Sequence, residues 1–305
     1  MPTAAQEART TKLSSNASSK FRVWKRFRRD RMAILGAFIL LLITFSVILG
    51  PLLYTVSYST IDFARATLSP SWQHPLGTND LGQDQLARLL WGGRVSLAVG
   101  ITAMLVSIVL GTLIGAVAGF CGGVIDSGLM RLTDLFLSLP QLPLLLLIIY
   151  LFRDPVRSLA GPEVGIFLLI ILVIGALTWM STARLVRAGF LAMREQAFVQ
   201  AARSLGAHPL RIVWRHILPN VIGPVIVAAT LGVGNAIITE STLSFLGIGF
   251  PPDVPTWGRM LFDAQNYIVS APYLVIFPGL VIFLTVLSVN YVGDGLRDAW
   301  DVRSR

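Results

Sequence analysis

Six predominantly apolar runs, each about the 20 residues a helix needs to cross a bilayer, decide what this chain can fold into. They cover residues 33–54, 95–120, 132–152, 164–186, 221–246 and 272–292. Hydrocarbon offers no water to backbone N–H and C=O groups, so such runs must satisfy them internally, as helices. The expected fold class is all-α: a polytopic membrane protein with six transmembrane helices. The first run is too long for a signal-peptide core and follows a basic arm, so it reads as an uncleaved first span. Composition agrees, with 13% charged and 54% hydrophobic residues. A soluble domain carries roughly 25% charge, so this exterior must face lipid.

The formal charge of +9 invites a nucleic-acid reading, and the positions of the cations argue against it. Nine of the 25 Lys and Arg precede the first apolar run, seven of them between Lys20 and Arg31. With the N-terminus inside, 19 of the 25 fall on the inner side. Only Arg65, Arg88, Arg94, Arg153, Arg157 and Arg259 fall outside. That is the positive-inside pattern of a protein with both termini in the cytoplasm, its basic arm beside anionic membrane lipid. No nucleic-acid partner is expected.

The spans differ in kind. Gly111, Gly115 and Gly119 clear a flat stripe on the second, suited to close helix packing. Pro140 and Pro143 interrupt the third, and Pro224, Gly232 and Gly234 mark the fifth. Such breaks survive in lipid where neighbours or water satisfy the freed backbone, as around a cavity or gate. Between the first two spans, Thr78, Asn79 and Asp80 are positioned to cap a helix. Leu86, Leu89 and Leu90 would then share one face, with Trp91 beside them, as in a short helix lying in the membrane interface.

Enzymatic chemistry is poorly supplied. A phosphate-binding GxxxxGK[ST] loop needs a lysine, and Lys12, Lys20 and Lys25 lie in no glycine-rich loop. Cys121 is the single cysteine, and His74, His208 and His216 lack metal-ligand spacing. No catalytic residue, metal site or bound cofactor is expected. Asp134 and Glu240 are the carboxylates well inside apolar runs. Asp134 lies one turn from Arg131, as in an ion pair. Glu240, near Asn235, Thr239 and Ser241, is open to two readings: lining a transport pathway, or hydrogen bonding within the bundle.

The inner loop between the fourth and fifth runs is the most informative stretch. Residues 195–205 read as a short helix with Phe198, Ala201, Ala202 and Leu205 on one apolar face. Gly206 can take the left-handed conformation that ends it. A second short helix follows Pro209. A mere connector would be shorter and polar, so this face needs a partner.

Here the chain resembles the permease subunits of ABC importers. Their EAA loop has the pattern Glu-Ala-Ala, three residues, Gly, then Ile/Leu-Pro, matched at Ala201, Ala202, Gly206, Leu218 and Pro219, with Gln200 in place of Glu. His74 to Asp84 is similar to the HPLGTDxxGRD signature of the dipeptide, oligopeptide and nickel permeases, departing at Asn79 and Gln83. Residues 243–258 and 293–299 resemble that family's outer loop and C-terminal signature. The resemblance implies a type I importer permease, the second of two non-identical permease subunits. It implies a basic arm over 1–31, a first helix and outer loop over 32–93, a five-helix core over 94–294 and a cytoplasmic tail over 295–305. The coupling loop would span about 189–219. Phe198, Gln200, Ala201, Ala202, Leu205, Gly206 and Pro219 would dock on an ATPase subunit. The implied partners are a second permease, two cytoplasmic ATPases that hold ATP and Mg2+, and an extracytoplasmic binding protein. The implied cargo is a dipeptide, oligopeptide, nickel chelate or glutathione. An ATP-independent secondary transporter and a membrane receptor or scaffold are the alternatives.

Overall fold

The computed structural model describes residues 24–300, so most of the basic arm and the end of the tail lie outside the described residues. The chain is helical: α1 (Arg31–Leu53), α2 (Gln85–Cys121), α3 (Gly123–Ser138), α4 (Gln141–Ala160), α5 (Pro162–Ala176), α6 (Trp179–Arg194), α7 (Ala197–Ser204), α8 (Pro209–Ile212), α9 (Leu218–Phe245), α10 (Trp257–Asp263) and α11 (Tyr273–Trp300). A short π-helical stretch, Val213–Ile217, joins α8 to α9.

Among the described residues, four continuous helical runs are long and apolar enough to cross a membrane: α1, α2, the run from Pro209 to Phe245, and α11. Six spans result when α3 with α4 and α5 with α6 each count as one, bent by 87° and 42°. The runs at 132–152 and 164–186, expected as single helices, are therefore each two. The first breaks because Leu139 precedes Pro140 and takes extended backbone. Pro140 then caps α4, and Pro143 falls in its first turn, where a missing N–H costs nothing. At the second break Thr178 Oγ1 donates to Ile174 O at 2.8 Å, inserting a hydroxyl into the backbone ladder.

The segment before α2 also departs from expectation. Asp84, not the 78–80 group, caps the helix, accepting from Ala87 N at 2.8 Å. Thr78 forms an isolated antiparallel bridge with Asp84 instead. Leu89 is buried and α2 runs unbroken from Gln85, so no separate interfacial helix precedes the span. Asp84 Oδ2 also lies 2.8 Å from His74 Nδ1 and accepts from the Tyr54 hydroxyl at 2.9 Å. The clasp ties the end of α1 to the start of α2. Burial, reinforced by that bond to Asp84, pushes the Tyr54 hydroxyl above the ordinary phenol range.

The glycine stripe is the seam between α2 and α6. A Cβ on Gly111 would meet Trp179 O at 2.7 Å, and one on Gly119 would meet Phe190 Cβ at 2.6 Å. A Cβ on Gly115 would collide with Ala183 O. Across the Gly119 end of the seam the Arg187 guanidinium grips Asp126 of α3 with two hydrogen bonds, the Nη2–Oδ2 one at 2.7 Å. Asp134 pairs with Arg184 of α6, not with Arg131. A neighbouring helix brings that cation closer than the one a turn away on its own helix.

Candidate functional site

Two features stand out: a small helix seated at one end of the bundle and a stripe of cavities along α9. The small helix is α7. Gln196 caps it in extended backbone, and Gly206 ends it at φ +76°. Val199 is fully buried among Val186 and Phe190 of α6, Ile212 of α8, Ile217 of the π-helical stretch, and Val221 and Val225 of α9. Burying such a side chain is worth about 1.5–3 kcal/mol, so Val199 anchors α7. The Gln200 amide adds a second tie, donating to Arg194 O at 3.1 Å, a carbonyl in the last turn of α6. A glutamate there could not donate to that oxygen.

The anchored side leaves the opposite one free. Phe198 is 45% exposed and Leu205 88% exposed. Ala201 is exposed and Ala202 half-buried between them. Leu210 and Trp214, on the following turns, are exposed as well. Pro219 opens α9, where its missing N–H is harmless. Phe198, Leu205, Leu210 and Trp214 thus leave apolar side chains uncovered in this chain. The 3.6-residue pattern found this outer face. Val199 was missed because it is a single apolar residue on the other side.

The cavities lie on the stripe Asn220, Pro224, Ala228, Leu231, Asn235 and Thr239, spaced by three or four residues along α9. The first cavity, about 600 Å³, is lined by Asn220, Pro224, Ala228 and Leu231 with Arg297 and Trp300 of α11. The second, about 440 Å³, shares Ala228 and Leu231 and adds Asn235 and Thr239. Gln141, Leu177, Thr178 and Ser181 complete it. Both bent spans thus break at this cavity, and Gln141 Nε2 donates to Leu177 O across it at 3.4 Å. Its polar lining comes partly from the breaks, through Gln141 and Thr178, and partly from Ser181 of α6 and Asn235 and Thr239 of α9.

Glu240 and Ser241 are elsewhere. Glu240 is fully buried, accepting from Ser244 Oγ at 2.8 Å and Ser96 Oγ at 3.2 Å. Ser96 Oγ in turn accepts from Trp257 N at 3.2 Å. The carboxyl group joins α9 to α2 and to the start of α10, behind the cavity wall. Among the described residues no group of three or more His, Cys, Asp or Glu is placed to hold a metal ion.

A membrane-spanning helical bundle with a cavity at its helix breaks and a short helix exposing apolar side chains at one end is the architecture of a transporter's transmembrane subunit. Residues 111–305 match the model of the binding-protein-dependent transport system inner membrane component. Residues 21–70 match that of the N-terminal transmembrane domain of oligopeptide transport permease C. The chain is 37% identical to the dipeptide transport system permease protein DppC of Alkalihalophilus pseudofirmus, over 92% of this chain and 89% of that one. It is 37% identical to the glutathione transport system permease protein GsiD of Pectobacterium atrosepticum, over 91% and 89%. It is 35% identical to the oligopeptide permease OppC of Bacillus subtilis, over 100% and 96%. A chain of the inward-facing MetNI methionine ABC transporter shares the fold at a TM-score of 0.54 and 18% identity, over 69% of this chain and 95% of that one. The chain belongs to the family of binding-protein-dependent inner-membrane transport components and is a permease subunit of an ABC importer.

Proposed function

We propose that this permease passes short peptides, or a peptide-like solute such as glutathione, along the α9 stripe, and that α7 is the element an ATPase subunit moves. The observation that carries the second half is the face of α7. Phe198 and Leu205 stand exposed on a helix whose other side is pinned by Val199. An apolar surface held rigid and left uncovered has a partner in the assembled complex. The family supplies its nature: a cytoplasmic ATPase, one of two, that binds ATP and Mg2+. This chain has no phosphate-binding loop of its own. A second permease would close the cavities from the side that Asn235 and Thr239 face, and an extracytoplasmic binding protein would deliver cargo. The relatives' names support the peptide class, and a cavity of about 440 Å³ has the size of a small-ligand site. Peptides offer amide groups that Gln141, Asn235 and Thr239 can hydrogen-bond in passing.

The charge of the basic arm and of the loop after α6 supports a reading with both termini in the cytoplasm of a bacterium, the chain crossing the inner membrane several times. A reporter fused after Arg203 should then read as cytoplasmic, and one within residues 60–71 as external. For energy coupling, the chain purified alone should show no ATP hydrolysis above background. Coexpressed with the ATPase, permease and binding-protein genes beside it, it should copurify with the ATPases and support binding-protein-stimulated hydrolysis. Uptake of labelled dipeptide, longer peptide and glutathione by cells with and without this chain then assigns the cargo. Steady hydrolysis by the chain alone, or no peptide-dependent difference in uptake, would defeat the corresponding half of the reading.

A further inference from the structure

Pro51 lies inside α1 and has no N–H, so the carbonyl of Val47, four residues earlier, has no helical donor. Arg94 of α2 supplies one. Its Nε donates to Val47 O at 3.0 Å and its Nη2 to Ile48 O at 2.7 Å. The guanidinium lies 4.6 Å from the centroid of the Trp91 ring, which contacts Tyr58. These contacts fix the position of Arg94 without neutralising it: no carboxylate pairs with it among the described residues. Tyr58 and Trp91 are of the aromatic type that collects at the level of lipid headgroups.

Inward from Arg94 a groove of about 520 Å³ runs between α1, α2, α9 and α11. Its walls include Leu40, Ile101, Leu105, Ile226 and Val233, and Arg94 is its one charged residue. Along α2 the groove extends from Arg94 to Ile108, about 20 Å at 1.5 Å per residue. One leaflet of a hydrocarbon core about 30 Å thick fits within that length. Ile226, Thr230 and Val233 also lie on the face of α9 opposite Ala228, Asn235 and Thr239. A subunit closing the cavities from across would therefore leave the groove uncovered.

We infer that this groove is a site for an anionic phospholipid, its phosphate on the Arg94 guanidinium and one acyl chain between α1, α2 and α9. The anionic head answers the uncompensated cation, and the chain answers the apolar trough beneath it. The site does not depend on what the importer carries.

The test uses the full chain, purified in mild detergent with any subunits that accompany it. Native mass spectrometry follows the retention of phosphatidylglycerol or phosphatidylethanolamine with identical acyl chains. One cation near the headgroup corresponds to about a fivefold preference for the anionic lipid, from ~1 kcal/mol. Arg94→Gln keeps a donor for Val47 O and removes the charge, so the preference should fall away. Ala229→Phe fills the groove and leaves Arg94 untouched, so retention of both lipids should drop. Equal retention of the two lipids by the unaltered chain would overturn the proposal. So would a preference that survives Arg94→Gln, or full retention in Ala229→Phe. A disulfide from a cysteine placed at Ile226 to a copurified subunit would show that protein covers the groove, and would also overturn it.

Discussion

Replacing Gly206 isolates the geometry of the inner loop from its packing. A Cβ built on Gly206 meets nothing within 4 Å, so no neighbour in this chain opposes a side chain there. The resistance is in the backbone: φ is +76°, where an L-residue with a Cβ pays about 1–2 kcal/mol. That shifts the turned loop against its alternatives by roughly five- to thirtyfold. A β-branched residue is worse placed than that average, and asparagine tolerates the left-handed region. Gly206→Asn should therefore transport close to the unaltered chain. Gly206→Val should lose most of its uptake and ATPase stimulation at matched membrane expression, because α8 would leave α7 at the wrong angle. The assay is labelled-substrate uptake with ATPase pull-down in the same cells. Near-normal values for both variants would reduce the loop to a solvated connector. Equal failure of both would show that a docked partner fills the space beside Gly206, and the argument from φ would be wrong.

Other positions test other parts. Ala202→Asp places a charge in the proposed docking face and should cut ATPase copurification with membrane insertion intact; an unchanged yield removes the face from the interface. Gly115→Leu should abolish a folded, monodisperse chain in detergent, because its Cβ collides with Ala183 O, and Gly128→Ala should be neutral or raise Tm, since nothing lies within 4 Å of its Cβ; similar Tm for both would refute the seam. Glu240→Gln keeps an acceptor for Ser96 or Ser244 and should transport normally, and Glu240→Ala should cost about 1–3 kcal/mol by stranding those hydroxyls. Lost uptake with unchanged Tm in Glu240→Gln would place that carboxyl group on the pathway after all.

The spans were legible because length and hydropathy are local properties. Their interruptions were less so. Pro140 announced a break, but hydropathy averages smoothly across it, and nothing in the sequence states an angle of 87°. The bend at Thr178 is quieter still, since a threonine mid-run is ordinary and only its hydrogen bond to Ile174 O shows what it does. Pairings between helices were the least legible. Asp134 with Arg184 and Asp126 with Arg187 join residues about 50 and 61 positions apart, which no spacing rule reaches. The His74 to Asp84 signature was recognisable as a string. Its physical content, a helix cap gripped by an imidazole and a phenol, came from the fold.

The attachments of α7 say where a push on it would act. Val199 is set among side chains of both α6 and α9, two of the helices that border the cavities. α6 is closed onto α2 along the glycine seam, where backbone-to-side-chain gaps leave no room for sliding, so α2 and α6 respond as one body. At its other end α6 starts at the Thr178 break, and α4 starts at the Pro140 break. Rigid helices that end at interrupted backbone concentrate a change of angle at the interruption. Both interruptions border the cavity that Asn235 and Thr239 line. On the proposed reading, a displacement delivered at Phe198 and Leu205 would be converted, by the shape of the bundle, into a change in the lining of that cavity.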